Sequence, residues 1–191
     1  MRLILASSSP YRKDLLARLR IPFEAISPDI DESPHPREAP AAIARRLALE
    51  KAWTIAACRP GDAVIGSDQV ATLDGHDAIG KPGTMQNARR QLAAASGKTM
   101  QFYTAFALVS PHQAPIEHCV PIAVRFRTLG AAEIDSYLAL EQPLDCAGSA
   151  KCEGLGITLL ESIRTDDPTA LIGLPLMLVA DALRRVGLAP A

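Results

Sequence analysis

The residues best equipped for chemistry begin at the N-terminus, in LILASSSPYRKDLL, residues 3–16. Leu3 to Ala6 read as a short buried strand and Ser7 to Ser9 as a tight polar turn. Pro10 to Arg20 read as a helix with Leu15, Leu16 and Leu19 on one face. Ser9 suits the N-cap, and Pro10 the first helical position, where a missing N–H costs nothing. Such a turn gathers unpaired backbone N–H groups at the positive end of a helix dipole, and Arg12 and Lys13 add two cations. Cations are misplaced at a helix N-terminus unless an anion joins them, so the arrangement suits a phosphate. An ordinary capped helix with solvated basic residues fits the same spacing.

Other charged residues fall in apolar company. In the helix expected from Pro40 to Cys58, the stripe Ile43, Leu47, Ala48 and Ile55 takes Lys51 into its arc, so Lys51 must snorkel out or meet an anion. Asp68 lies in the strand-like AVIGSDQVATL and shares an alternating face with Val64 and Val70. Aspartate is poor in strands and costly to bury unpaired, so a structural ion pair or a working carboxylate is expected there. Gly66 admits a bulge that would re-aim the side chain. Lys81, between Gly80 and Pro82, can reach a phosphate or sit on an exposed turn. Asp29, Asp31 and Glu32 lie in the proline-rich SPDIDESPHPREAP, as solvated loop acids or as partners of Asp68 around Mg²⁺, which takes one or two carboxylates plus phosphate oxygens. Lys151 and Glu153 occupy the glycine-rich AGSAKCEGLGI, where a backbone can approach a ligand closely. Together these make a kit for a metal-bound polyphosphate.

The elements that must position them alternate between strand and helix. After strand IPFEAI and the helix at 40–58, a strand pair is expected near 63–73 with a turn at LDGHD. A helix capped by Thr84 follows, then strands near 101–110 and 117–128, a helix near 131–141 and a strand near 155–163. The last helix, from about Pro175 to Val186, is stopped by Gly187. The alternation lacks strict βαβ regularity, which predicts an α/β fold with a mixed sheet. The 191 residues fit one domain, or two lobes sharing a sheet. At 48% hydrophobic but 4% aromatic, the core must be mostly aliphatic and alanine. A net charge of −1 argues against a nucleic-acid polymer or a membrane surface as partner. The chain has no apolar run of membrane-spanning length, and its N-terminal charge order is wrong for a signal peptide, so a cytoplasmic protein is expected. Cys58, Cys119, Cys146 and Cys152 lack CxxC spacing and read as reduced thiols, and neither His118-Cys119 nor Cys146/Cys152 has further ligands at metal spacing.

The ordered set LASSSPYRKDLL, DIDES, LEKA, GSDQV, GKP and AGSAKCEGLGI, continued by the terminal IGLPL and its helix, resembles the Maf family of nucleotide pyrophosphatases over nearly the whole chain. The resemblance implies residues 1–191 as a single domain with an elongated, ITPase-like mixed β-sheet, flanking helices and two lobes around a cleft. It implies hydrolysis of a nucleoside triphosphate to monophosphate and diphosphate with a divalent metal, Mg²⁺ or Mn²⁺, in a homodimer. Ser7 and Arg12 match the family's phosphate-binding turn and helix, and Lys51 and Lys81 its phosphate-contacting lysines. Asp68 matches its proton acceptor and Glu32 its acidic loop position, which makes these two the expected metal ligands. Tyr11, Gln69 and Glu153 match the positions that separate substrate branches. Gln69 and Glu153 agree with the branch that acts on 7-methyl-GTP, while Tyr11 replaces that branch's usual tryptophan. A dTTP/UTP pyrophosphatase and a non-catalytic nucleotide-binding regulator of cell division are the rival readings.

Overall fold

Unequal strand lengths organise the structure, a computed structural model in which residues 1–189 are described. Strand β1 (Leu3–Ala6) pairs in parallel with β2 (Phe23–Ile26) on one side and with β3 (Ala63–Thr72) on the other. The long β3 then pairs antiparallel with β4 (Thr99–Val109), β4 with β5 (Ile116–Phe126), and β5 with the edge strand β6 (Leu160–Arg164). The sheet order is β2-β1-β3-β4-β5-β6, the mixed α/β sheet that the sequence predicts.

Side-chain alternation along β3 sends its residues to two different partners. Val64 and Val70 pack against helix α2 (Pro40–Cys58), through Ala52 and Ile55 at one end and Ile43 and Leu47 at the other. Ala63 and Ile65 point to the opposite face. There, helices α1 (Pro10–Ala17) and α5 (Leu176–Arg185) bury Leu15, Leu16, Val179 and Leu183 against Leu3, Leu5 and Phe106. Farther along the same strands, α3 (Met85–Ala95) and α4 (Ala131–Glu141) close a second core of Ala71, Leu92, Met100, Phe102, Ile122, Phe126, Ile134 and Leu138. Strands β3 and β4 serve both cores, so the two lobes share one sheet. Both cores are largely aliphatic, as the few aromatics require.

Local signals explain the helix ends. Ser9 accepts the Arg12 N–H as N-cap of α1, with Pro10 at the first position, and Thr84 caps α3 through Asn87. Gly187, at φ 77°, follows α5. Helix α1 stops at Ala17, short of the expected Arg20. Its chain tightens into i→i−3 bonds at Arg18, Leu19 and Arg20, and Arg20 adopts a left-handed φ of 56°. The expected strand pair near 63–73 is one strand: past the turn at Asp74, only an isolated bridge from Ile79 to Ala71 returns to it. The expected strand at 155–163 begins late. Leu155–Leu159 forms a 3₁₀ turn before β6, because Gly156 lies so close to the Lys151 backbone that an added Cβ would sit 2.6 Å from its N and O.

Gly66 introduces no bulge, since β3 and β4 stay in register from Val64 to Thr72. Its role is close approach: a Cβ there would lie 2.1 Å from the Ala48 carbonyl oxygen and 2.6 Å from the Ala52 nitrogen. Helix α2 therefore rests directly on the β3 backbone, which fixes the height of Lys51 above Asp68. Gly66→Ala must lift the helix, and overpacking of this kind costs about 1–3 kcal/mol. Urea denaturation of the variant should show that loss; a wild-type midpoint would refute the close-approach account.

Candidate active site

The cleft opens where β1 ends. Strand β1 covers β3 only from Ala63 to Gly66, and the bridge from Ile79 reaches β3 at Ala71. Between them, Ser67 to Val70 present an uncovered edge, and side chains from both faces of the ribbon reach the same space. The chain leaving β1 turns at Ser7, whose buried hydroxyl accepts the Ser9 N–H at 3.1 Å. A cavity of about 630 Å³ lies here, lined by the serine turn, Arg12, Lys51, Asp68, Gln69 and Lys81, and by the loop carrying Lys151 and Glu153. Its volume is that of a site for a ligand of nucleotide size.

One end of the cavity concentrates charge. Lys51 does not snorkel: only 5% exposed, it places Nζ 2.7 Å from Asp68 Oδ1 and 2.6 Å from Glu32 Oε1. The structure thus joins Asp68, from the central strand, and Glu32, from the proline-rich loop, through one ammonium. Burial pushes the Glu32 carboxyl up, but its hydrogen bond to Lys51 and the fields of Lys51, Lys81 and Arg12 prevail and lower it. Arg12 is fixed through Nε, which donates to the Gly173 carbonyl at 3.0 Å. Its terminal NH₂ groups make no protein hydrogen bond among the described residues, which leaves the fork that suits a phosphate. Burial lowers the Arg12 pKa, opposed by Asp68 and Glu32. Lys81 stands exposed at the rim.

The other end is aromatic and polar. The Tyr11 hydroxyl donates to Asp145 at 3.2 Å, and the Cys146 thiol lies 3.8 Å from it. Burial, then Cys146, raises the Tyr11 pKa. The Lys151 ammonium lies 5.6 Å from the ring centroid of Tyr11 and 3.1 Å from Glu141 Oε1, so an aromatic surface here already carries a cation. The Gln69 amide nitrogen donates to Leu171 O at 2.9 Å, Ala170 O at 3.1 Å and Thr104 Oγ1 at 2.8 Å. Two carbonyl acceptors fix the amide orientation, so Gln69 offers the cavity its oxygen and no donor. Glu153 is exposed at the rim and, among the described residues, is hydrogen-bonded only by the Cys152 thiol, at 3.5 Å.

Two supporting devices escaped the sequence reading. Arg46, on α2, grips both Glu38 oxygens at 2.7 Å and donates to the Ser33 carbonyl at 3.1 Å. This clamp folds the proline-rich loop back on α2 and sets Glu32 over Lys51. The only sequence signal was a basic residue one turn before Lys51. The second device is segment 165–177. Asp167, nearly fully buried, accepts the Thr169 N–H and hydroxyl and the Met177 N–H, while the Thr169 oxygen accepts the Leu176 N–H. The knot delivers the carbonyls of Ala170, Leu171 and Gly173 to Gln69, Thr104 and Arg12. Gly173, at φ 125°, makes the required turn.

All four cysteines are free thiols, and no cluster of three or more histidine, cysteine or acidic residues suited to a metal exists among the described residues. Asp68 and Glu32 are the two cavity carboxylates joined through one ammonium. Both approach one cationic atom within 2.7 Å, and two hard oxygens converging on a single position suit Mg²⁺ or Mn²⁺ completed by water and phosphate.

A six-stranded mixed sheet whose central strand edge opens into such a cleft has the ITPase-like α/β fold. The crystal structure of a nucleoside-triphosphatase, dITP/XTP pyrophosphatase, from Mycobacterium abscessus shares the fold at 18% identity and a TM-score of 0.50, over 98% of this chain and 96% of that one. Residues 2–186 match the Maf family, described as Maf-like protein, and the chain belongs to that family. A 7-methyl-GTP pyrophosphatase from Bordetella parapertussis is 56% identical over 99% of this chain and 94% of its own length. Proteins of the same name from Xanthomonas axonopodis pv. citri and Cupriavidus metallidurans are each 54% identical over 97% of this chain, and 97% and 93% of theirs.

The clamp carries a pH signature. The Arg46 hydrogen bonds hold the Glu38 carboxyl down from 4.5 to about 2. Its stabilisation is complete above pH 4.5, where the unfolded chain is also ionised, and is lost as pH falls toward 2. Urea denaturation across that range should show a shallower acid loss in Glu38→Gln than in wild type. Equal slopes would remove the clamp from the account.

Proposed function

We propose that this protein hydrolyses 7-methyl-GTP to 7-methyl-GMP and diphosphate, acting as a cytoplasmic homodimer of a single-domain chain. The observation that carries the reading is that one cavity is lined both by the Lys51–Asp68–Glu32 cluster with Arg12 and Lys81 and by Tyr11, Gln69 and Glu153. The relatives of that name support it.

The phosphates lie along the Ser7–Ser9 turn and the α1 N-terminus, where backbone N–H groups and the helix dipole favour anions. Arg12, Lys51 and Lys81 neutralise the chain and stabilise charge developing on the leaving diphosphate. Asp68 orients a water and takes its proton; in the ligand-free protein Oδ1 is held by Lys51, and Oδ2 has no protein donor among the described residues. A divalent ion, when bound by Asp68 and Glu32, polarises the attacked phosphate and offsets its charge.

At the base end, N7 methylation makes guanine a delocalised cation, and stacking on Tyr11 adds about 0.5–2 kcal/mol over neutral guanine. To stack, the base must push the Lys151 ammonium aside, which only a ligand that restores a cation to that face does without electrostatic loss. Glu153, exposed in the free protein, gains the N1–H and exocyclic amine of guanine and is desolvated as the base covers it. The Gln69 oxygen accepts from a base or ribose donor.

Asp68→Asn should lower turnover by about 10²-fold or more, a typical contribution of a general base. The fold should survive, because Lys51 keeps Glu32. Diphosphate release measured beside circular dichroism decides; a near wild-type rate removes Asp68 from the role. The second test compares 7-methyl-GTP, GTP, dTTP and UTP. Tyr11→Ala and Glu153→Gln should weaken selectivity chiefly for the methylated base. A wild-type preference for dTTP or UTP would establish the pyrimidine reading instead, and binding without diphosphate release would establish the non-catalytic one.

A further inference from the structure

Lys51 occupies the space that a metal ion would need. Its Nζ lies 2.6 Å from Glu32 Oε1 and 2.7 Å from Asp68 Oδ1, the two carboxylates proposed as metal ligands. An ammonium and a divalent cation cannot share one pair of oxygens at bonding distance. A metal that takes those same two oxygens must therefore displace the lysine. The Lys51 side chain lies on the buried stripe of α2 and is only 6% exposed, so an ammonium displaced from both carboxylates needs a new anion in the cavity it lines. Uncoupling a buried charge from its partners is unfavourable. Arg12 and Lys81 add to the exclusion, since their fields also reach Glu32. A polyphosphate changes the balance by giving Lys51 a new anion within the same cavity.

We propose that Lys51 is an electrostatic latch. In the nucleotide-free protein it holds Asp68 and Glu32 and keeps divalent ions out; when a nucleotide arrives with its metal, Lys51 transfers to phosphate and releases the carboxylates. Metal and nucleotide binding are then coupled, and by linkage each tightens the other. The proposal rests on the metal-dependent pyrophosphatase reading but is tested apart from it.

The test titrates nucleotide-free protein with Mn²⁺ and follows the free ion by electron paramagnetic resonance. Lys51→Met and Lys51→Gln should bind Mn²⁺ about tenfold or more tightly than wild type, within the usual range of coupling. Lys81→Met, which removes a field but no contact, should gain less. Adding Glu32→Gln to Lys51→Gln should cancel the gain. Circular dichroism checks folding, and Lys51→Gln, which keeps an N–H donor for the carboxylates, decides if Lys51→Met unfolds. Equal or weaker Mn²⁺ affinity in a folded Lys51 variant overturns the latch, and so does a gain that survives Glu32→Gln. A wild-type protein that releases no diphosphate from any nucleotide would instead overturn the functional reading and leave the Mn²⁺ comparison standing.

Discussion

The site depends on a mismatch of length: β1 has 4 residues and its neighbour β3 has 10. Had β1 continued, its backbone would have paired with Ser67 to Val70 and closed the edge. Because it stops at Ala6, the chain must turn at once, and the turn becomes the N-terminus of α1. Polar side chains from both faces of β3 then reach one opening, Asp68 from the α2 side and Gln69 from the α5 side. The same mismatch explains how a strand interior tolerates them. A residue pointing to either face of a fully covered strand would be buried against a helix, whereas here the open edge gives both a path to the cavity.

Electrostatics then decides how the open edge stays folded without ligand. Asp68 and Glu32 would repel, and Lys51 alone would be a buried charge; as a triad each cancels the other's cost. The Arg46 clamp secures the arrangement by fixing a loop that has no secondary structure of its own. Arg12 is the exception. Among the described residues its guanidinium makes one hydrogen bond, to Gly173, which leaves most of its donors unused in a partly buried place. Preorganised cations of this kind carry their cost in the free protein, so they need no rearrangement when an anion arrives.

Much of this was legible in the sequence, for reasons that also mark the limit. Short-range signals located the elements: the Ser9-Pro10 cap, the Thr84 cap, and the stripe that put Lys51 on the buried face of α2. Alternation placed Asp68 inward beside Val64 and Val70. The motif order carried the family, and with it the expectation that these residues meet. What sequence could not supply was orientation. The Gln69 amide is committed to Ala170 and Leu171, about a hundred residues away, and no local pattern encodes that contact. The clamp of Arg46 on Glu38 escaped for a related reason, since an arginine beside another arginine on a helix reads as surface. Gly66 misled because a strand glycine signals either a bulge or a close approach, and only the position of α2 distinguishes them.

The committed Gln69 amide bears on how such a cleft chooses a base. A side-chain amide free to flip presents a donor or an acceptor as the ligand requires, and so discriminates little. Held by two carbonyls, Gln69 presents oxygen only, and a base that offers oxygen in return leaves two acceptors facing each other. Rejection by an unmet or repulsive polar pair is sharper than preference by added apolar contact. The constraint originates in the Asp167–Thr169 knot, which sets the height of segment 170–173 against β3. On the proposed function, selectivity here is therefore built from the backbone of the C-terminal segment as much as from the side chains that line the cavity.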